Sequence, residues 1–158
     1  MIASAAYWIE KLGLKPHPEG GHYLETFRSS EKVTNSSGQL RSSSTTIYYL
    51  LQDHEISKLH RIKSDEVWHF YAGNALTIPV FHPEGNFQQM VIGPENIQAV
   101  VPAGCWFGAY LAGEKGYALA GCSVAPGFEF EDLEFADTQQ LLRQFPAQAS
   151  TINLLSRA

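Results

Sequence analysis

The stretch His60–Gly73, HRIKSDEVWHFYAG, sets a histidine six residues before a glutamate and that glutamate seven before a glycine. Its second half, EVWHFY, is rich in aromatic side chains and favours a strand. On a strand successive side chains alternate faces, so Glu66, Trp68 and Phe70 point one way and Val67, His69 and Tyr71 the other. A helix would place Glu66 and His69 on one face, as in di-iron bundles. The strand reading separates them and removes His69 as a co-ligand. His60 ends the preceding strand, the polar Lys63-Ser64-Asp65 turns the chain, and Glu66 opens the next. The two then meet across a hairpin mouth. Ile62 shares the parity of His60 and makes the space between them apolar.

Working outward, the chain is punctuated by a turn every 8 to 12 residues or so, the rhythm of a sandwich or barrel. Strands are expected near 21–29, 45–52, 57–62, 66–71, 75–81, 87–92, 98–101, 105–111 and 116–124, with the Pro83-Glu84-Gly85-Asn86 segment as a hairpin turn. The run 34–44, TNSSGQLRSSS, reads as a polar loop. His-Pro-Glu-Gly occurs at 17 and again at 82, which reads as reused turn chemistry and not as a repeat. Ser4 is placed to cap a short helix with Trp8, Ile9 and Leu12 on its apolar face, ended by Gly13. Asp137 and Gln140 form a capping box for a C-terminal helix of about two turns. The tail after Pro146 fits either a frayed end or a segment packed on the barrel. The expected architecture is one domain over 1–158, all-β, a jelly-roll double sheet with short N- and C-terminal helices.

Composition narrows the function. The 158 residues are 44% hydrophobic and 17% charged, with a formal net charge of −5. No basic face announces a nucleic-acid or anionic-membrane partner, so a small molecule or another protein is expected. The N-terminus lacks the basic region and apolar run of a secretory signal, and no apolar stretch approaches about 18 residues, so a cytoplasmic protein without a membrane span is expected. Cys105 and Cys122 have no metal spacing and read as small buried hydrophobes.

His60 and Glu66 are two possible ligands, whereas metal sites of this kind need three or four, so no metal is expected unless distant residues join them. Among the other histidines, His17 and His82 precede prolines in turns, His54 sits in a polar loop, and only the strand residue His22 stays in view. Nucleophile-elbow, phosphate-loop, dinucleotide and HExxH motifs do not occur.

The residues His60, Glu66 and Gly73, followed by Pro102-Ala103-Gly104, resemble the two signature motifs of the cupin superfamily, HxHxxxExxxxxxG and PxGxxH. Ile62 stands at the second histidine of the first motif and Phe107 at the histidine of the second. The blocks KPHPEGGHYLETFRS, SDEVWHFYAG, VPAGCWFGA and GCSVAPGFEFED together resemble a subgroup of small single-domain cupins of unassigned function. That resemblance implies a double-stranded β-helix barrel with a pocket between its sheets, commonly as a homodimer. The chain is also similar to the metal-independent sugar-nucleotide epimerases, in which the histidine of a Leu-His pair, here Leu59-His60, removes a proton beside a carbonyl. Glu66 would then be its partner, and Tyr48 or Tyr49 an acid.

The expected function is therefore binding of a sugar-like or sugar-nucleotide-like metabolite without a cofactor, with isomerase or epimerase chemistry based on His60 and Glu66. Ile62, Trp68, Phe70 and Phe107 would line the pocket, the aromatic rings stacking on a ligand ring. Two alternatives stand beside it: a metal-dependent oxygenase or lyase using His60 and Glu66, and a non-catalytic ligand-binding module.

Overall fold

A computed structural model describes residues 3–113 and 115–157. Ser4 caps α1 (Ala5–Leu12) through its hydroxyl, which accepts from the Tyr7 N–H at 3.2 Å, and Gly13 ends the helix in the left-handed region at φ 66°. The next strands are β1 (Lys15–Pro16), β2 (His22–Arg28), β3 (Lys32–Thr34), β4 (Leu40–Ser42), β5 (Thr45–Gln52), β6 (Ile56–Arg61) and β7 (Asp65–Gly73). After them come β8 (Leu76–Phe81), β9 (Phe87–Ile92), β10 (Gln98–Val101), β11 (Trp106–Leu111), β12 (Tyr117–Ala125) and β13 (Glu134–Phe135). Helices α2 (Thr138–Gln144) and α3 (Ala149–Leu154) follow.

One sheet has the order β1-β2-β5-β12-β7-β10 and the other β13-β6-β11-β8-β9, with every pairing antiparallel. The fold is the expected jelly-roll double sheet. Between the sheets lies the main core, including Tyr49, Leu51, Trp68, Ile78, Val80 and Phe107. Strand β5 reads as a continuous apolar run because both its faces are covered. Tyr49 and Leu51 face the second sheet, whereas Leu50 lies with Leu14 and Leu119 beneath Trp8, Ile9 and Leu12 of α1. At the other face of the molecule, Ile56, Leu59 and Phe81 of the five-stranded sheet pack against Leu141, Phe145, Ile152 and Leu155.

Two segments differ from expectation. The polar run 34–44 is not simply a loop, because β3 and β4 pair as a ribbon around a turn in which Asn35 Oδ1 accepts from the N–H groups of Ser37 and Gln39. Arg41 of this ribbon is buried and grips Asp132 with two hydrogen bonds, Nε to Oδ2 at 2.7 Å and Nη2 to Oδ1 at 2.9 Å. The tail is packed: α3 delivers Ile152 and Leu155 into a fully buried cluster. Among the described residues, no helix is long and apolar enough to cross a membrane.

Candidate functional site

A cavity of about 280 Å³ opens between the sheets, at the low end of the roughly 300–1,000 Å³ usual for ligand pockets. His60 of β6 and Glu66 of β7 both line it, as does Ile62 just beyond β6. Strand parity holds at Glu66 and Trp68, which are both buried, while His69 makes its polar contacts with Gln98 and Ser123.

The partner of His60 is not Glu66. Its Nε2 lies 3.0 Å from Oε2 of Glu19, in the turn between β1 and β2. Its Nδ1 is 2.6 Å from the Lys58 carbonyl, and a carbonyl can only accept, so Nδ1 carries a proton. Burial lowers the affinity of His60 for a second proton. Glu19, by its charge and by its hydrogen bond, reverses this, and Glu66 and the Lys58 carbonyl add to the effect, so the pKa stands at about 9. For Glu19, burial favours the neutral acid, but His60 outweighs it and holds the carboxyl below its usual range. The pair is an imidazolium and a carboxylate at neutral pH.

The turn that delivers Glu19 is built for close approach. Gly20 has φ 112°, and a Cβ there would lie 2.0 Å from the Ile56 carbonyl oxygen, so only glycine fits. The Lys58 N–H donates to the Glu19 carbonyl at 2.8 Å, and the Tyr49 hydroxyl donates to the Gly20 carbonyl at 2.6 Å. Burial pushes the Tyr49 phenol well above its ordinary pKa, which suits this positioning contact and not an acid role. His17, from the same turn, also lines the cavity. Its Nδ1 accepts from the Glu19 N–H at 3.1 Å and burial lowers its pKa, so it is neutral, with its ring edge-on to Tyr23 at 4.5 Å.

Of the carboxyl groups that line the cavity, Glu66 makes no ion pair among the described residues. It is 8% exposed, and the polar side chain beside it is the Cys122 thiol. Burial, then repulsion from Glu19, raises it to about 7, although His60 and the thiol pull the other way. The Cys122 thiol is itself pushed well above its usual range by burial and remains protonated.

The apolar wall differs from expectation. Trp68 and Phe107 are each 1% exposed and belong to the core beneath the cavity, and Phe70 is packed on that core from its edge. None of the three lines the cavity. Phe107 opposes His60 across the β6–β11 pairing, with ring centroids 4.2 Å apart, so it supports the imidazole from below. The exposed aromatic wall comes instead from Tyr23, Phe128 and Phe130. The Phe128 N–H donates to Thr45 Oγ1 at 2.9 Å, and the Arg41–Asp132 pair anchors the end of this segment. Arg28 sits at the rim with Glu25 and Glu129. His22 faces Glu55 at 3.8 Å and takes no part, and His54 lies outside the cavity.

A metal ion does not fit these residues. Ile62 and Phe107, which stand where the cupin motifs have histidines, are apolar and offer no ligand atom, and both nitrogens of His60 are already engaged. Among the described residues, no three histidine, cysteine or carboxylate side chains are grouped so as to hold an ion.

Two solved structures align over nearly the whole chain. A hypothetical protein from Leishmania major is 35% identical, with 99% of this chain and 100% of that one covered and a TM-score of 0.91. A protein from Shewanella oneidensis is 37% identical, with 99% of each chain covered and a TM-score of 0.88. Oxalate decarboxylase from Bacillus subtilis shares the fold alone, at 15% identity and a TM-score of 0.59 over 90% of this chain and 37% of that one. No curated protein matches the sequence. The model of the cupin superfamily family DUF985 matches residues 6–136, and the chain belongs to that family.

Proposed function

We propose that this cupin binds one small polar metabolite of sugar size between its sheets, without a resident metal, and exchanges a proton with it through Glu66. The observation that carries the reading is a buried carboxyl that faces the cavity between the sheets and has its pKa raised to about 7, beside a fixed imidazolium–carboxylate pair. A base is most effective when its pKa lies near the working pH. Glu66 meets that condition. His60 does not, because both its nitrogens are bound; its charge tunes Glu66 instead. The reaction class is isomerisation or epimerisation. Ionised Glu66 takes a proton from a carbon next to a carbonyl and the electron pair passes to the carbonyl oxygen. In isomerisation the adjacent hydroxyl then gives its proton to that oxygen, and Glu66 returns its own to the former carbonyl carbon. In epimerisation water protonates the first carbon on the other face, while Glu66 releases its proton to solvent.

A panel of unphosphorylated aldoses and ketoses, incubated with the protein in D₂O, tests this. Deuterium is expected to enter the carbon next to the carbonyl of one member, and Glu66→Gln is expected to stop it. A member that binds but takes up no deuterium would make the protein a binding module.

The same reading takes the chain as a cytoplasmic homodimer. Two buried free thiols, Cys105 and Cys122, suit a reducing compartment. Strand β1 covers only the start of the β2 edge, and Phe27, Val33 and Leu40 are exposed nearby, at 53%, 38% and 65%. Such an edge is commonly covered by a second copy. Light scattering is expected to give twice the protomer mass, and a monomer mass at micromolar concentration would overturn the dimer.

A further inference from the structure

We infer that the cavity selects a small organic cation, an amine carried on a ring, and rejects phosphorylated or carboxylated ligands. The inference rests on the same cavity as the proposed function and names its ligand class. Four carboxyl groups line the space, Glu19, Glu25, Glu66 and Glu129, against two cations, Arg28 and His60.

Neither cation is free. Arg28 gives Nε and Nη2 to the two oxygens of Glu25 at 2.8 Å each. Its Nη1 bonds Glu129 at 2.6 Å, and its Nη2 also bonds the Phe128 carbonyl at 3.0 Å. His60 is occupied by Glu19 and the Lys58 carbonyl. A phosphate would therefore find no unpaired donor of positive charge and would face an excess of carboxylates.

Glu66 is the opposite case. It is more than nine-tenths buried, lines the cavity, and makes no ion pair among the described residues. The imidazolium of His60 acts on it through space but is held by Glu19 and the Lys58 carbonyl. An ammonium group supplies the missing counter-charge and hydrogen-bond donors together. The facing groups agree: Glu19 adds negative potential that the His60 imidazolium offsets only in part, neutral His17 adds none, and the Cys122 thiol stays uncharged. The rings of Tyr23, Phe128 and Phe130 line the cavity, and aromatic rings attract a cation that sits over their faces. The ring centroids of Phe128 and Phe130 are 5.1 Å apart, and that of Phe130 lies 6.4 Å from Tyr23, so the three form one continuous wall.

Two charge-matched series test the assignment by calorimetry at pH 7.5: glucosamine, glucose and glucose 6-phosphate, and benzylamine, benzyl alcohol and benzoate. In at least one series the amine is expected to bind roughly 10- to 100-fold more tightly than the neutral member, the range of a charged hydrogen bond, with no binding of the anion. Glu66→Gln is expected to abolish the preference. Tighter binding of the neutral or anionic member overturns the cation assignment while leaving proton exchange at Glu66 to be judged by deuterium uptake. Failure of all six compounds to bind also overturns it. An amine preference that survives Glu66→Gln would overturn the role of that carboxyl.

Discussion

Glu66→Gln is expected to make the protein more stable by about 3 kcal/mol at pH 8 and to leave stability near pH 4.5 almost unchanged. The folded pKa of Glu66 is about 7, against 4.5 for the free side chain, with burial the largest cause. A group whose pKa rises on folding gives its favourable contribution below the unfolded value and loses it as pH climbs through the folded value. The wild-type chain therefore weakens between pH 4.5 and 7 as this carboxyl ionises in a buried site. Glutamine keeps the shape and has no proton to lose. The same change removes the proposed base, so a gain in stability is expected to accompany loss of proton exchange. Urea unfolding of both proteins at pH 4.5 and 8 measures it. A glutamine variant less stable than wild type at pH 8 would mean that Glu66 is ionised and satisfied in the fold.

Glu19→Gln is expected to act in the opposite sense. With the carboxylate gone, burial, the largest influence on His60, is opposed only by weaker partners, and the imidazole pKa is expected to fall from about 9 toward the 6.5 of a free histidine. In the wild type the raised His60 pKa contributes stability that is complete below pH 6.5 and lost as pH rises through 9. The carboxylate needed for it is present above pH 4.5. The variant is therefore destabilised most between pH 5 and 6.5, by roughly 3 kcal/mol, and the deficit shrinks toward pH 9. A proton NMR titration of the His60 ring checks this. A value still near 9 in the variant would show that Glu19 is not the group that holds the proton there.

Much of the fold was legible because it follows from local chemistry. The alternation in EVWHFY, the apolar run of β5 and the capping residues Ser4 and Asp137 each act over a few residues, and each appears as read. Part of the site was legible for the same reason, since strand parity turns His60, Ile62 and Glu66 toward one space. The hairpin expected between them does not form: β6 and β7 lie in different sheets, and the turn after Ile62 carries the chain from one sheet to the other. What parity does not give is depth: Trp68 and Phe107 lie on the inward side but below the cavity floor.

His17 and Glu19 were hidden for a different reason. The tetrapeptide His-Pro-Glu-Gly makes the same turn twice, with the glycine N–H returning to the histidine carbonyl at 3.0 Å in one copy and 2.9 Å in the other. In the first copy the glutamate side chain is 9% exposed against His60, and in the second, at Glu84, it is 62% exposed. The difference comes from what the turn folds over: Lys58 and Ile56 are distant in sequence, and no local pattern encodes them. A glutamate between a histidine-proline pair and two consecutive glycines was the one available signal, because the second glycine is needed only where the backbone passes close to another strand. Gly21, at φ 72°, would place a Cβ 2.6 Å from the Leu50 carbonyl oxygen.

That the cavity holds an organic ligand with no resident metal is a proposal tested most directly by the metal content of the purified protein. Protein prepared without a nickel column and measured by mass spectrometry for iron, manganese, nickel, copper and zinc is expected to carry well under one equivalent of all five together, before and after incubation with each metal and desalting. One equivalent of any of them, retained through desalting in wild type and lost in Glu66→Gln, would contradict it.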